Sequence, residues 1–110
     1  MKISVIIPCY NEETTIHEIL ELVQIALNDS EYEIILVDDA STDNTSQIIH
    51  DISTKEGTIE VISHDSNLGK GAALRSGITA SNGDVVIIQD ADLEYDPSDY
   101  DKLIQPFIEA

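Results

Sequence analysis

Basic residues are scarce. Five Lys and Arg stand against 22 Asp and Glu in 110 residues, a formal net charge of −17. A surface this negative repels phosphate backbones over a Debye length of about 8 Å at physiological salt. That argues against nucleic-acid binding and means that any phosphate ligand needs a cation beside it. Cysteine occurs once, at Cys9, so no internal disulfide can form, no structural zinc framework is available, and a reducing, cytoplasmic setting is expected. No apolar run approaches the roughly 18 residues that cross a bilayer. The start, Met1 to Pro8, is too short for a secretory segment. What is present is ordinary for a globular chain: a hydrophobic fraction of 42% with 25% charged residues. That is too apolar for a disordered acidic tail, and the chain reads as one soluble domain.

Four short β-branched runs, Ile3 to Ile7, Glu33 to Val37, Thr58 to Ile62 and Asp84 to Ile88, read as buried strands. Their starts lie about 25 to 30 residues apart, the length of a strand-helix-strand unit. Ile16, Ile19, Leu20, Val23 and Leu27 recur at helical spacing, which predicts a helix from about residue 12 to 28 with Glu12 and Glu13 at its N-terminus. A second helix is expected to start near Asp43 or Asn44, bury Ile48, Ile49 and Ile52, and end at Gly57. The third runs from about Gly69 to Ala80. A fourth follows Pro97, with Pro106 kinking it or ending it early.

This alternation predicts an α/β chain of three layers, α/β/α, with a Rossmann-like parallel sheet in the order 3-2-1-4. Ligands of such sheets bind outside the carboxyl ends of the strands, where the order reverses. The segments that matter are therefore Pro8 to Glu12, Asp38 to Asp43 and Gln89 to Asp96.

All three are polar or acidic. Asp90, Asp92 and Glu94 place carboxylates at alternate positions, and a hard divalent cation wants such oxygens. A solvated acidic turn is the plainer alternative. An EF-hand loop does not fit, because Tyr95 stands where the sharp turn needs glycine and strand-like residues precede Asp90. Asp38 and Asp39 close the second strand, where doubly wound folds put the acidic residue that binds a ribose; capping of the next helix is the competing role. Neither G-x-G-x-x-G nor a P-loop is present, although Lys70 precedes a helix and can approach a phosphate. His17, His50 and His64 lack metal-ligand spacing and are expected on the surface. Cys9 is expected as a small buried side chain, and Ser41 lacks a nucleophile elbow.

Val5-Ile6-Ile7-Pro8-Cys9-Tyr10-Asn11-Glu12, Ile35-Leu36-Val37-Asp38-Asp39-Ala40-Ser41-Thr42-Asp43 and Gln89-Asp90-Ala91-Asp92-Leu93-Glu94-Tyr95 together resemble the family 2 glycosyltransferases of GT-A fold. Asn67 to Gly77 sharpens the resemblance toward the polyprenyl- and dolichyl-phosphate sugar transferases. It spans nearly the whole chain. The resemblance implies that Pro8, Tyr10, Glu12, Val37 and Asp39 line the pocket for base and ribose, and that Asp90, Ala91 and Asp92 meet the diphosphate. Asp90, Asp92 and Glu94 would hold Mg²⁺ or Mn²⁺. Glutamine is usual at the Glu94 position, so glutamate adds charge to the shell.

The implied activity is metal-assisted transfer of a sugar, with inversion, from a GDP- or UDP-sugar to an acceptor such as a lipid phosphate at the cytoplasmic membrane face. Family members carry a further segment with acceptor contacts and a general base. Residues 1–110 are therefore expected to be the donor-binding part of a longer domain, and no residue among them is assigned a catalytic role. A non-catalytic nucleotide- or metal-binding module of the same fold is the alternative. A CheY-like phosphoacceptor ranks below both, because it needs a lysine after a later strand. Self-association through the edge of the sheet is also expected.

Overall fold

The computed structural model describes residues 1–91. Four strands, β1 (Lys2–Cys9), β2 (Glu31–Asp38), β3 (Ile59–Ser63) and β4 (Val85–Ile88), alternate with three helices, α1 (Ile16–Ala26), α2 (Thr45–Ser53) and α3 (Lys70–Ala80). The sheet is parallel throughout and ordered β3-β2-β1-β4, as the βα alternation predicts. The helix expected after Pro97 and the proline at 106 lie outside the described residues.

Each face of the sheet buries one set of alternating side chains. On one face Ile3, Val5, Ile7 and Cys9 of β1 join Ile34 and Leu36 of β2 and Ile87 of β4. Against them pack Ile16, Ile19, Leu20 and Val23 of α1 and Ile49 of α2. On the other face Ile6, Ile35 and Val37 meet Ala73 of α3, with Leu74 and Ile62 alongside. These are the three layers. The strands run past their apolar cores, since polar Lys2, Glu31 and Asp38 also pair in the ladder, where backbone bonding and not burial decides membership.

α1 begins at Ile16 and not near residue 12. The backbone N–H groups of Glu12 and Glu13 donate to Thr45 Oγ1 (2.8 Å) and Asp43 Oδ2 (3.4 Å) across the gap to the segment after β2. Asn11, in the left-handed region at φ 54°, accepts from Thr42 N at 2.7 Å through its side chain. The stretch is thus stitched to its neighbour strand before the helix can start. Asn44 occupies the N-cap of α2 without a side-chain cap bond, and Asp43 Oδ1 takes the Thr45 N–H at 2.9 Å instead. α2 stops before Gly57, because the hydroxyls of Ser53 and Thr54 bond the carbonyls of His50 and Asp51 and so satisfy the last turn. α3 starts after Gly69, whose φ of 95° only glycine adopts cheaply.

Candidate functional site

Parallel ladder bonds continue one residue beyond three of the strands. Asp39 N donates to Cys9 O, His64 N to Asp38 O and Gln89 N to Ile6 O, each at 2.9 Å. The carboxyl ends of β1, β2 and β3 are therefore held level, while β4 ends beside Ile6 of β1, and a cleft of about 330 Å³ opens beyond them. Pro8, Tyr10 and Glu12 line it from the β1 side, Asp39 from β2, Asn67, Gly69, Lys70 and Ala73 from the start of α3, and Asp90 and Ala91 from β4.

Asp39 is 4% exposed and well supplied with donors. Oδ1 accepts from Leu68 N and His64 Nδ1, and Oδ2 from Gly69 N, all at 2.9 Å. Burial works against the charged form, but the bonds from Leu68, His64 and Gly69 outweigh it and hold the carboxyl below the usual carboxylate range. Asp38, beside it, is occupied structurally: its Oδ1 accepts from Ser41 N at 3.0 Å and shapes the turn after β2. Asp43 takes the capping role, and its pKa is likewise lowered, burial being outweighed by bonds from Thr45 and Glu13.

Across the cleft, Lys70 Nζ lies 2.5 Å from Asp90 Oδ1, an ion pair joining the first residue of α3 to the end of β4. Gln89, almost fully buried, donates from Nε2 to Asp90 O at 3.1 Å. Thr15 Oγ1 donates to Ala91 O, so the start of α1 anchors the turn out of β4.

Six of the residues that the sequence points to, Pro8, Tyr10, Glu12, Asp39, Asp90 and Ala91, thus line one cleft. Val37 does not. It is fully buried beneath, between β2 and α3, because the alternation that turns Asp38 one way sends Val37 into the packed face with Ile6 and Ala73. Asp92 and Glu94 lie outside the described residues. Among the described residues no three Asp, Glu, His or Cys side chains gather where they could hold a metal ion. Cys9 is buried, and its thiol is pushed far up by burial and by the neighbouring charges of Asp38 and Glu12, so it is no nucleophile.

His17 and His50 are exposed, as expected. His64 is not. Its ring bridges Asp39 and Ser76 Oγ (2.8 Å from Nε2) and is only 9% exposed. The signal was its place one residue past β3, the strand beside β2, which puts it next to Asp39 in any 3-2-1-4 sheet. Asn67 and Ala73 also line the cleft without any cue in charge or spacing.

A parallel sheet of this order, with acidic side chains around a cleft at its reversal point, is the architecture of the doubly wound α/β domains. The chain belongs to glycosyl transferase family 2, whose family model matches residues 4–110. It is 38% identical over 106 residues to the undecaprenyl-phosphate 4-deoxy-4-formamido-L-arabinose transferase of Pseudomonas fluorescens, covering 94% of this chain and 31% of that protein. It is 38% identical over 105 residues to the dolichol-phosphate mannosyltransferase of Pyrococcus furiosus, covering 96% and 30%.

Among solved structures, S. aureus TarS 1-349 in complex with UDP-GlcNAc superposes with a TM-score of 0.79 at 34% identity, covering 99% of this chain and 31% of that one. A mannosyltransferase from Pyrobaculum calidifontis in complex with GDP-Man and Mn²⁺ does so with a TM-score of 0.77 at 28% identity, covering 88% and 29%. The chain spans about a third of the length of the curated relatives it matches.

Proposed function

We propose that this cleft holds the nucleoside diphosphate of a nucleotide-sugar, GDP- or UDP-linked, and serves the donor side of a sugar transfer with inversion to an acceptor such as a polyprenyl phosphate. The observation that carries the reading is the convergence of Pro8, Tyr10, Glu12, Asp39, Asp90 and Ala91, from three separate segments, on one cleft at the carboxyl ends of the strands. The names of the relatives support the lipid-phosphate acceptor. The bound UDP-GlcNAc and GDP-Man of the neighbours support the donor class. No helix among the described residues is long and apolar enough to cross a membrane, so a lipid acceptor would be met by this part of the chain at the membrane surface.

Asp39 has three of its four acceptor positions filled by the protein, which leaves Oδ2 room for one N–H or O–H of a base or ribose. Tyr10, 45% exposed, offers a ring face to the same ligand. The cleft already balances a cation against Asp90, through Lys70, so this wall is built to accept positive charge. Its donor set is oxygen alone, which fits Mg²⁺ or Mn²⁺; Asp90 would hold the ion together with Asp92 and Glu94. When bound, the ion supplies charge neutralisation for the departing diphosphate. Lys70 then offers its ammonium to phosphate oxygens in place of Asp90.

Titration calorimetry of the 110-residue chain with UDP and with GDP, each with Mn²⁺ and with chelator, tests this. Binding should require the cation, because a diphosphate meets a net charge of −17. Asp90→Asn should weaken it by about tenfold or more, as expected for loss of a charged ligand. Tight binding that survives chelator, or none under any condition, overturns the proposal.

A further inference from the structure

His64 and Ser76 lie behind the cleft and not on its lining, yet they reach it through Asp39. An ionised carboxylate can only accept, so the proton between His64 Nδ1 and Asp39 Oδ1 belongs to Nδ1. In the neutral ring Nε2 then carries a lone pair, which the Ser76 hydroxyl meets as donor at 2.8 Å. His64 N is itself fixed to Asp38 O, so the ring is held at its backbone and at both nitrogens. Leu68 N and Gly69 N complete the hold on the carboxylate.

The three protein donors leave one acceptor direction of Asp39, on Oδ2. The angle at which that direction enters the cleft depends on the carboxylate not rotating. Rotation is opposed at Oδ1 by two bonds, one of which is the imidazole. We propose that His64, locked as its Nδ1–H form by the Asp39 carboxylate and held at Nε2 by Ser76, is a positioning residue that orients Asp39 toward the nucleoside part of the ligand. This rests on the reading of the cleft as a nucleoside-diphosphate site. It follows the general pattern in which an outer partner fixes the direction of the group that touches the ligand.

Asparagine and glutamine separate this role from simple packing, because an asparagine amide replaces the Nδ1 donor whereas a glutamine amide replaces the Nε2 end. His64→Asn in the full chain should bind UDP or GDP with Mn²⁺ within about threefold of wild type. His64→Gln and His64→Ala should each lose about tenfold, the worth of one hydrogen bond to a charged group. In an Asp39→Asn background, His64→Gln should have little further effect.

Long-range ¹⁵N–¹H spectra of the ligand-free chain give a second readout, in which the neutral His64 ring should carry its proton on Nδ1 and keep it there in Ser76→Ala, where Asp39 still accepts. A ring protonated on Nε2 alone, or His64→Gln binding as tightly as wild type, overturns the inference. Wild type that binds no nucleotide while keeping the Nδ1–H form overturns the donor reading instead.

Discussion

Asp39 shows how one side chain can be read correctly in kind and incompletely in context. Its place after β2 was legible from the sheet order, because the end of a strand beside the reversal point faces the ligand side. Its partners were not, since two of its three donors are backbone N–H groups of Leu68 and Gly69, and sequence does not mark a backbone donor. His64 was missed for another reason: metal-ligand spacing is the wrong cue for it, whereas its place one residue past β3 sets it beside Asp39. The carboxyl of Asp39 is held below the ordinary range, as are those of Asp43 and Glu33; at each, burial opposes ionisation and hydrogen bonds outweigh it. A depressed folded pKa contributes stability that is present above the ordinary carboxyl value and is lost as pH falls through the folded one. Asp39→Asn leaves a buried N–H without its carboxylate and should cost about 1–3 kcal/mol near pH 7. Urea unfolding of both proteins from pH 7 down to pH 2 checks the sign: the gap between them should narrow below the usual carboxylate range. A gap that widens in acid would reverse it.

Among the elements, α3 was legible at both ends but not in its packing. The positive φ at Gly69 and the extended backbone of Ser81 after Ala80 bound it where the sequence placed it. Its small residues gave only a weak apolar stripe, and their purpose is close approach: Ala73 and Gly77 are the buried positions against β1 and β2. A Cβ on Gly77 would run into the side chain of Ile6, which is itself fully buried. Alanine would gain about 1 kcal/mol of helix propensity at that position. Overpacking of a filled core costs about 1–3 kcal/mol, so the clash is the larger effect. Gly77→Ala should therefore lower the urea midpoint, and it should also weaken nucleotide binding, because α3 carries Gly69 and Lys70 at its start. Gly71→Ala is the control, since a Cβ there meets only the flexible end of Arg75 at 3.5 Å. A midpoint for Gly77→Ala at or above that of Gly71→Ala would mean that the helix shifts without strain. The start of α1 was misread for a different reason: Asn11, Asp43 and Thr45 spend their polar groups across the switch point, a tertiary use that no local pattern announces.

Over the whole molecule, two surface properties oppose each other. The net charge of −17 drives copies apart. Against this, β4 is an edge of the described sheet, and its alternation buries Ile87 on the α1 side while Val86 and Ile88 remain 40% and 45% exposed on the other. The register explains why. Val86 and Ile88 pair with Ser4 and Ile6, so they stand on the face that α3 covers, but α3 packs on β1 and β2 and stops short of β4. Exposed apolar edge strands seek partners, whereas like charges hold them off only within a Debye length that shrinks from about 8 Å at 0.15 M salt to 3 Å at 1 M. Self-association of this 110-residue chain should therefore rise with salt. Sedimentation velocity at 0.05 M and 1 M NaCl should show a larger weight-average species at the higher salt. Threonine at both positions keeps the β-branched shape that a strand accepts and removes apolar surface. Val86→Thr with Ile88→Thr should return the high-salt profile toward the monomer. A monomer at every salt concentration, or association that the double substitution leaves unchanged, would place the contact elsewhere or nowhere on the β4 face.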